Sequence, residues 1–367
     1  MGFMVKVNKL ALTYFDFCAG IGGGHTAMSR LGGKCVGFSE IDSKSELTYR
    51  VMNEVDTKSL TNWGDLTKIE SASLPEFDIM LGGFPCQAFS IVGLRRGFKD
   101  ERGQIIFNLA RILAEKSVKF FVLENVKGLI THGKKKTMEQ VIRLLNDSGY
   151  RVWWDVLKTS DYGIPQIRER VYLVGARVDL VPDNYDFCFP EPIPLKKNLT
   201  AFLVDEDPAM EFNPKSKNWS TFIRYLNNKY NIGKFSVEGL LSKNNIIVDW
   251  RQSDLRIYED YCPTLRTGRH GILYVKDGRF RRLSGFESLL LQGFDSEQAK
   301  RASEAKIPNS VLLSQSGNAF TVDVIEMITT SLINQFDIGK HPADSELLQS
   351  YPVQSQLWGG HKYKIPV

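Results

Sequence analysis

The feature that most constrains this chain is a regular alternation, from its start to about Arg177, of short apolar runs with stretches of helical periodicity. The runs at residues 12–17, 35–39, 78–81, 120–123 and 171–174 have the length and apolarity of buried parallel strands. Between them, residues 107–115 and 138–145 repeat apolar positions every three or four residues, the spacing of a helix with one buried face. This alternation predicts a doubly wound α/β sheet, and such sheets bind ligands at the carboxyl ends of their strands.

The pattern breaks near Pro182. Five prolines fall between Pro182 and Pro208, and the alternation is lost until about Arg282, which predicts a smaller, irregular, loop-rich second domain. A helical pattern resumes over residues 309–336 (Val322, Ile325, Met327, Ile328, Leu332) and is expected to pack back on the first domain. The expected division is 1–187 plus 305–340 for the large domain, 188–304 for the second domain and hinge, and 341–367 for a tail without a clear signal. A chain of 367 residues suits this division better than one compact core.

Composition excludes several classes. No run approaches the ~20 apolar residues of a membrane helix, and the first ten residues interleave Lys6, Asn8 and Lys9, unlike a secretory signal. A cytoplasmic protein without a membrane partner is expected. The five cysteines are odd in number and form no C-x-x-C pair, which argues against disulfide and zinc frameworks. A net charge of +5 permits a nucleic-acid partner without requiring one.

Asp16-Phe17-Cys18-Ala19-Gly20-Ile21-Gly22-Gly23-Gly24 follows the first strand and precedes a helix, where glycines allow a tight turn and close approach of a ligand. The dinucleotide pattern G-x-G-x-x-G would need a glycine where His25 stands, which argues against NAD. Glu40, at the end of the second strand, is placed to accept hydrogen bonds from ribose hydroxyls. Asp65, in Gly64-Asp65-Leu66, is placed to accept from an adenine amino group. Either acid alone reads equally as a solvated strand-end residue; together they point to an adenosine-type cofactor. A further turn, Gly82-Gly83-Phe84-Pro85-Cys86-Gln87, follows the strand at 78–81, and Pro85 stiffens it so that Cys86 is presented at the strand end. A free thiol there needs neighbours to reach its thiolate form.

With these residues in place, the chain resembles the cytosine-5 DNA methyltransferases of bacterial and phage modification systems. Gly83-Phe84-Pro85-Cys86-Gln87 matches the family's catalytic loop, and Leu123-Glu124-Asn125-Val126 the segment with its catalytic glutamate. Gln166-Ile167-Arg168-Glu169-Arg170 matches its Gln-x-Arg-x-Arg segment. Arg282, Leu283, Glu287, Gly293 and Phe294 match the segment framing the recognition domain, and Gly317-Asn318-Ala319 the final cofactor-side motif. The order is that of the family from Asp16 to Ala319.

The resemblance implies a Rossmann-like class I methyltransferase domain carrying a smaller target recognition domain. It implies S-adenosylmethionine as methyl donor, held by Phe17, Cys18, Gly20, Ile21, Gly22, Glu40, Ile41, Asp65, Leu66, Pro85, Ile105 and Asn318. Cys86 would add to carbon 6 of a flipped cytosine, with Glu124, Arg168 and Arg170 completing the catalytic set and no metal required. Double-stranded DNA would be contacted by Ser90, Val92, Arg95, Arg96, Gln166, Thr264, Leu265, Arg266, Thr267 and Arg269. The enzyme would act as a monomer in a restriction–modification or phage self-protection system, in the first case beside a cognate restriction endonuclease. Four positions depart from the family pattern: Cys18 replaces a usual phenylalanine, Ile41 a usual aromatic, Ala319 a usual serine and Val92 a usual polar residue.

The recognition function falls by position to residues 188–282, where Pro263-Thr264-Leu265 resembles the family's Thr-Leu signature. Between Arg251 and Arg282 eight Lys/Arg stand against four Asp/Glu, suited to a groove-facing surface. Lys134-Lys135-Lys136 reads as a solvated helix entry. Two rivals remain open: a tRNA cytosine-5 methyltransferase, disfavoured by Phe84 before Pro85-Cys86 and by the size of the recognition region, and a catalytically dead DNA-binding homologue, disfavoured by intact Cys86, Glu124 and Arg170.

Overall fold

The computed structural model describes residues 12–84, 104–195, 197–250, 255–268 and 271–336. The strands are β1 (Thr13–Phe17), β2 (Lys34–Ser39), β3 (Ile79–Gly83), β4 (Phe120–Val126), β5 (Tyr150–Lys158), β6 (Gln166–Ile167), β7 (Glu169–Arg177), β8 (Ile246–Trp250), β9 (Leu255–Glu259), β10 (Cys262–Pro263), β11 (Ile272–Lys276) and β12 (Arg279–Arg282). The helices are α1 (Gly23–Arg30), α2 (Ser43–Asn53), α3 (Gln104–Lys116), α4 (Lys136–Asp147), α5 (Trp219–Leu226), α6 (Val237–Leu241), α7 (Gly285–Leu290), α8 (Ser296–Glu304), α9 (Asn309–Asn318) and α10 (Val322–Gln335).

A six-stranded sheet in the order β2-β1-β3-β4-β7-β5 forms the large domain. β2, β1, β3 and β4 run parallel, whereas β7 pairs antiparallel with both β4 and β5. This is the mixed, parallel-dominated sheet of a Rossmann-like methyltransferase fold. Successive strand side chains point to opposite faces, so each apolar run feeds two cores. Tyr14, Leu81, Val122 and Val174 meet Ala27 and Met28 of α1 and Ile325, Ile328 and Leu332 of α10 on one face. Phe15, Met80, Phe121 and Leu173 meet Leu109 and Leu113 of α3 and Val141 and Leu145 of α4 on the other. The helical pattern at 309–336 thus does pack back on the first sheet. So do α7, α8 and the turn between them, which supply Leu289, Ala299 and Ala302, and Phe294, to the same core.

Strand β5 escaped the sequence signals. Arg151 and Asp155 interrupt its apolar residues because it is an edge strand, buried only in part. The second region is also more regular than its sequence suggests. Its strands form a four-stranded antiparallel sheet, β12-β11-β8-β9. Val248, Leu273 and Val275 pack on one face with Phe222, Leu226 and Leu240 of α5 and α6. Ile247 and Tyr274 pack on the other with Leu199, Phe202, Leu265 and Leu291, toward the large domain. β10 pairs with β6 and ties the two regions together. Among the described residues no helix is long and apolar enough to cross a membrane.

Candidate active site

The carboxyl ends of β1 and β2 meet at the glycine loop. After β1 the backbone turns through left-handed conformations at Cys18, Gly20 and Gly22. Gly22 admits no side chain, because a Cβ there would lie 2.6 Å from Asn53 Nδ2 and 2.9 Å from the Tyr49 ring. Glu40 anchors the loop: its Oε2 accepts from Gly20 N at 2.8 Å and its Oε1 from Asp42 N at 2.8 Å. Burial raises its carboxyl above the ordinary carboxylate value. Asn62 fixes the neighbouring turn, its Oδ1 accepting from Glu40 N and Gly64 N while its Nδ2 donates to Glu40 O. Cβ atoms built on Gly20 and Gly64 would have open space around them, and Ile41 beside them is 77% exposed. These two turns are therefore open to approach from solvent, with the apolar Ile41 side chain beside them.

Asp16 lies near the end of β1, against Gly24 and His25 of α1. It is fully buried; Oδ2 accepts from His25 N at 3.2 Å, and Oδ1 has no hydrogen-bond partner. Burial raises its carboxyl well above the ordinary range. Phe17, Ile21 and Leu66 are buried, and Ile105 is half-buried at the start of α3. Asp65 is engaged locally: its Oδ1 accepts from Thr67 N and Oγ1, capping a short 3-10 turn, and its Oδ2 lies 3.3 Å from Lys68 Nζ.

The second group sits where β3 and β4 end and β7 begins. Register pairs Gly83 with Glu124, and Val126 with Arg170. Glu124 is nearly buried, with Oε1 3.1 Å from Arg170 Nε and 3.5 Å from Arg168 Nη2. No described residue bonds its Oε2. Asn125 Nδ2 donates to Phe84 O at 2.7 Å, fixing the chain where it leaves β3 toward Pro85 and Cys86.

Arg168 is the largest fully buried side chain. Its Nη1 donates to Gly317 O at 3.0 Å and Leu265 O at 3.4 Å, and its Nη2 to Ala319 O at 2.8 Å. Burial, then the neighbouring Arg170, lowers its pKa to about 10, with Glu124 opposing, so it stays charged at neutral pH. Arg170 is partly exposed beside it.

Gln166 belongs to the same framework. It has no exposed surface; its Nε2 donates to Leu291 O at 2.6 Å and its Oε1 accepts from Leu265 N at 3.2 Å. Gln166 and buried Leu265 thus turn inward and hold the loop. Thr264 Oγ1 donates to Ile167 O. Thr267 donates to Asn318 Oδ1 at 2.5 Å, and both residues are exposed, as is Arg266. Gly317 permits this junction, since a Cβ would lie 2.4 Å from the carbonyl carbon of Arg266. The final motif therefore faces two ways. Gly317 and Ala319 meet the Thr-Leu loop and Arg168, while Phe320 packs over Gly23 and Gly83.

The structure thus gathers Gly20, Glu40, Ile41 and Leu66 at one strand end and Glu124, Arg168 and Arg170 at the next. Pro85, Cys86, Ser90, Val92, Arg95, Arg96 and Arg269 lie outside the described residues. Asn62, Asn125 and Phe320 were missed by sequence reasoning. Asn62, two residues before Gly64, carries the turn signal that would have found it. Of the other cysteines, burial pushes Cys18 and Cys35 up to about 12 and raises Cys262 further, making these three unreactive thiols.

Residues 12–334 match the family model of the C-5 cytosine-specific DNA methylases. The chain is 32% identical over 333 residues to Type II methyltransferase M.DsaV of Dactylococcopsis salina, covering 90% of this chain and 89% of that protein. It is 28% identical to Orphan methyltransferase M.SPRI of Bacillus phage SPR, covering 89% and 98% of the two chains. The fold is similar to that of Entamoeba histolytica methyltransferase EhMeth, with a TM-score of 0.64 at 15% identity, covering 88% of this chain and 98% of the other.

Proposed function

Because the chain belongs to the C-5 cytosine-specific DNA methylases, we propose that Cys86 attacks a cytosine flipped out of duplex DNA, with S-adenosylmethionine as methyl donor. One observation carries the reading. Glu124 stands beside Gly83, three residues before Cys86, with its Oε1 held by two guanidinium groups.

Carbon 5 of cytosine is a poor nucleophile, so the ring must first become electron-rich. The Cys86 thiolate adds to carbon 6, and the electron pair of the 5,6 double bond moves into the ring. Glu124 holds a proton at ring N3, where negative charge would otherwise develop; positioned acid catalysis of this kind contributes about 10²–10⁴-fold. Arg170 steadies both Glu124 and the base, and Arg168 holds Glu124 from the buried side. When bound, S-adenosylmethionine supplies an electrophilic sulfonium methyl group to carbon 5. Loss of the carbon-5 proton restores the double bond and expels Cys86. Flipping the base costs a few kcal/mol, and the loop containing Arg95 and Arg96 is suited to gripping the backbone meanwhile.

The residues present fit that donor. Gly20 and Gly64 border open space beside Glu40, and Ile41 offers an apolar surface there. We assign target recognition to residues 188–304, with Arg266 and Thr267 reading the site beside the Thr-Leu pair. The relatives' names include both a Type II enzyme and an orphan phage enzyme, which supports a role in restriction–modification or phage self-protection. A cognate endonuclease is the partner in the first case.

The test is a duplex carrying 5-fluorocytosine at the target site, mapped beforehand by bisulfite sequencing. Fluorine cannot leave as a proton, so the wild-type protein should remain covalently attached. Cys86→Ala should abolish trapping while retaining DNA binding; an adduct that forms equally well with Cys86→Ala overturns the reading.

A further inference from the structure

The second region carries a cationic surface away from the Thr-Leu loop. Residues 212–237 contain Lys215, Lys217, Arg224, Lys229 and Lys234 and not one acidic residue. All five cations are exposed. Within this stretch, the turn between α5 and α6 displays two large apolar side chains to solvent, Tyr230 at 51% and Ile232 at 67% exposure. Exposing both at one tip needs an explanation, because burying such surface is favourable by about 25 cal/mol per Å².

The turn is built to hold them out. Asn228 Oδ1 accepts from Tyr230 N at 2.9 Å and Asn231 N at 3.1 Å, and Asn228 O accepts from Ile232 N. Asn231 is buried below; its Nδ2 donates to Tyr225 O at 2.8 Å and its Oδ1 accepts from Leu255 N at 3.2 Å. Gly233 closes the turn in a left-handed conformation. α5 in turn stands on packed rings, Phe222 lying 5.6 Å from Phe212 and 5.5 Å from Phe280. Lys229 Nζ sits 5.0 Å from the centre of the Tyr230 ring, so cation and aromatic form one tip.

Position connects this tip to the site. Leu255, which bonds Asn231, pairs with Trp250 across β8 and β9. A Cβ on Gly271 would lie 3.3 Å from Trp250 O, and Gly271 leads back to the segment 266–268 that abuts Gly317. The turn and the Thr-Leu loop therefore emerge at the same end of the antiparallel sheet.

We infer that this surface is a second DNA contact of the recognition region: Lys215, Lys217, Arg224, Lys229 and Lys234 meet backbone phosphates, and Tyr230 and Ile232 enter the groove beside the target. The inference rests on the DNA-methylating reading above. Duplex DNA fits because it combines a dense line of negative charge with apolar base edges, notably the thymine methyl group. Aromatic and aliphatic tips flanked by lysine match both features at once.

The experiment measures binding of a labelled duplex containing the target site at several salt concentrations. Lys229→Ala/Lys234→Ala should make the slope of log affinity against log salt shallower by about 1.8, or 0.9 for each phosphate that is no longer neutralised. Tyr230→Ser/Ile232→Ser should weaken binding about 10-fold with the slope unchanged, and Tyr230→Phe/Ile232→Leu should restore it. Both variants should melt like the wild type, since the altered side chains are exposed. Unchanged slope and affinity in both variants, with a wild type that forms the covalent adduct, overturn this inference alone. A wild type that neither binds duplex DNA nor methylates it overturns the underlying reading as well. Light scattering that finds a wild-type dimer and a Tyr230→Ser/Ile232→Ser monomer overturns it in favour of self-association.

Discussion

At the carboxyl ends of the six-stranded sheet, the side chains are held from several directions at once. Arg168 alone bonds three backbone carbonyls and a carboxylate, and Glu124 takes two guanidinium groups on one oxygen. At the end of the four-stranded sheet, Asn228 fixes the backbones of Tyr230 and Ile232, and the side chains of these two and of Arg266 stand exposed. One region is fixed before any ligand arrives. The other keeps its chemistry exposed on rigid turns. Catalysis needs preorganised charge, whereas reading a sequence needs side chains free to meet base edges.

Two buried glutamates sharpen the contrast. Glu124 has cations for partners. Glu287, where the second region joins α7, has only neutral donors: Tyr274 OH at 2.9 Å and Asp205 N at 3.1 Å on Oε1, and Ser284 N at 3.0 Å on Oε2. Burial raises the Glu287 carboxyl to about 7.

The largest expected effect comes from breaking the over-determined region. Arg168→Ala strands Leu265, Gly317 and Ala319 carbonyls and removes half of Glu124's support, so stability should fall by about 3–5 kcal/mol. Denaturant unfolding measures it, and Arg168→Lys should not restore it, because a point charge cannot reach the same set of carbonyls. A lysine variant as stable as wild type would mean that the fork geometry is irrelevant. Glu124→Gln keeps the shape but not the acid or the counter-charge of Arg168 and Arg170, so kcat of the folded protein should drop about 100-fold or more, with a lower melting temperature beside it. A near-wild-type rate would assign N3 protonation to another group.

Glu287 is tested by pH. Its folded pKa lies above the ordinary carboxylate value, so between pH 4.5 and 7 the folded state holds more protons than the unfolded state. Its contribution to stability is therefore present at low pH and lost as pH rises, with a slope of up to about 1.4 kcal/mol per pH unit. Glu287→Gln should remove that slope from the stability profile. An identical profile in the variant would show that Glu287 does not titrate in this window. The smallest effect belongs to the exposed region. Arg266→Ala should relax target preference about 10-fold in a randomised methylation library, with residual sites still methylated. A loss of all activity without a change in preference would make Arg266 part of the fixed region instead.

The parallel strands of the large sheet, and β7 between β4 and β5, were legible because strands buried on both faces read as apolar runs, whereas the edge strand β5 was not. The antiparallel sheet was not, since its strands interleave charge: Asp249 and Arg256 in β8 and β9, Arg279, Arg281 and Arg282 in β12. The cation-rich turn at Tyr230 also escaped, because a lone tyrosine and isoleucine between polar residues look like any half-buried loop. Only the folded turn, fixed by the side-chain amides of Asn228 and Asn231, shows that they stand outward.

The order of the motifs, their residue types and hence the family were determined by the sequence alone, because each motif is a short local run of residues. Which residues face ligand and which face protein was decided by the tertiary structure. Gln166 and Leu265 turn inward, Asp65 caps its own turn, and Arg168 finds its carbonyl partners 97, 149 and 151 positions away. The Nη1 and Nη2 donors of a buried guanidinium bond the acceptors that the folded chain brings within reach, and separation along the sequence says nothing about where those are.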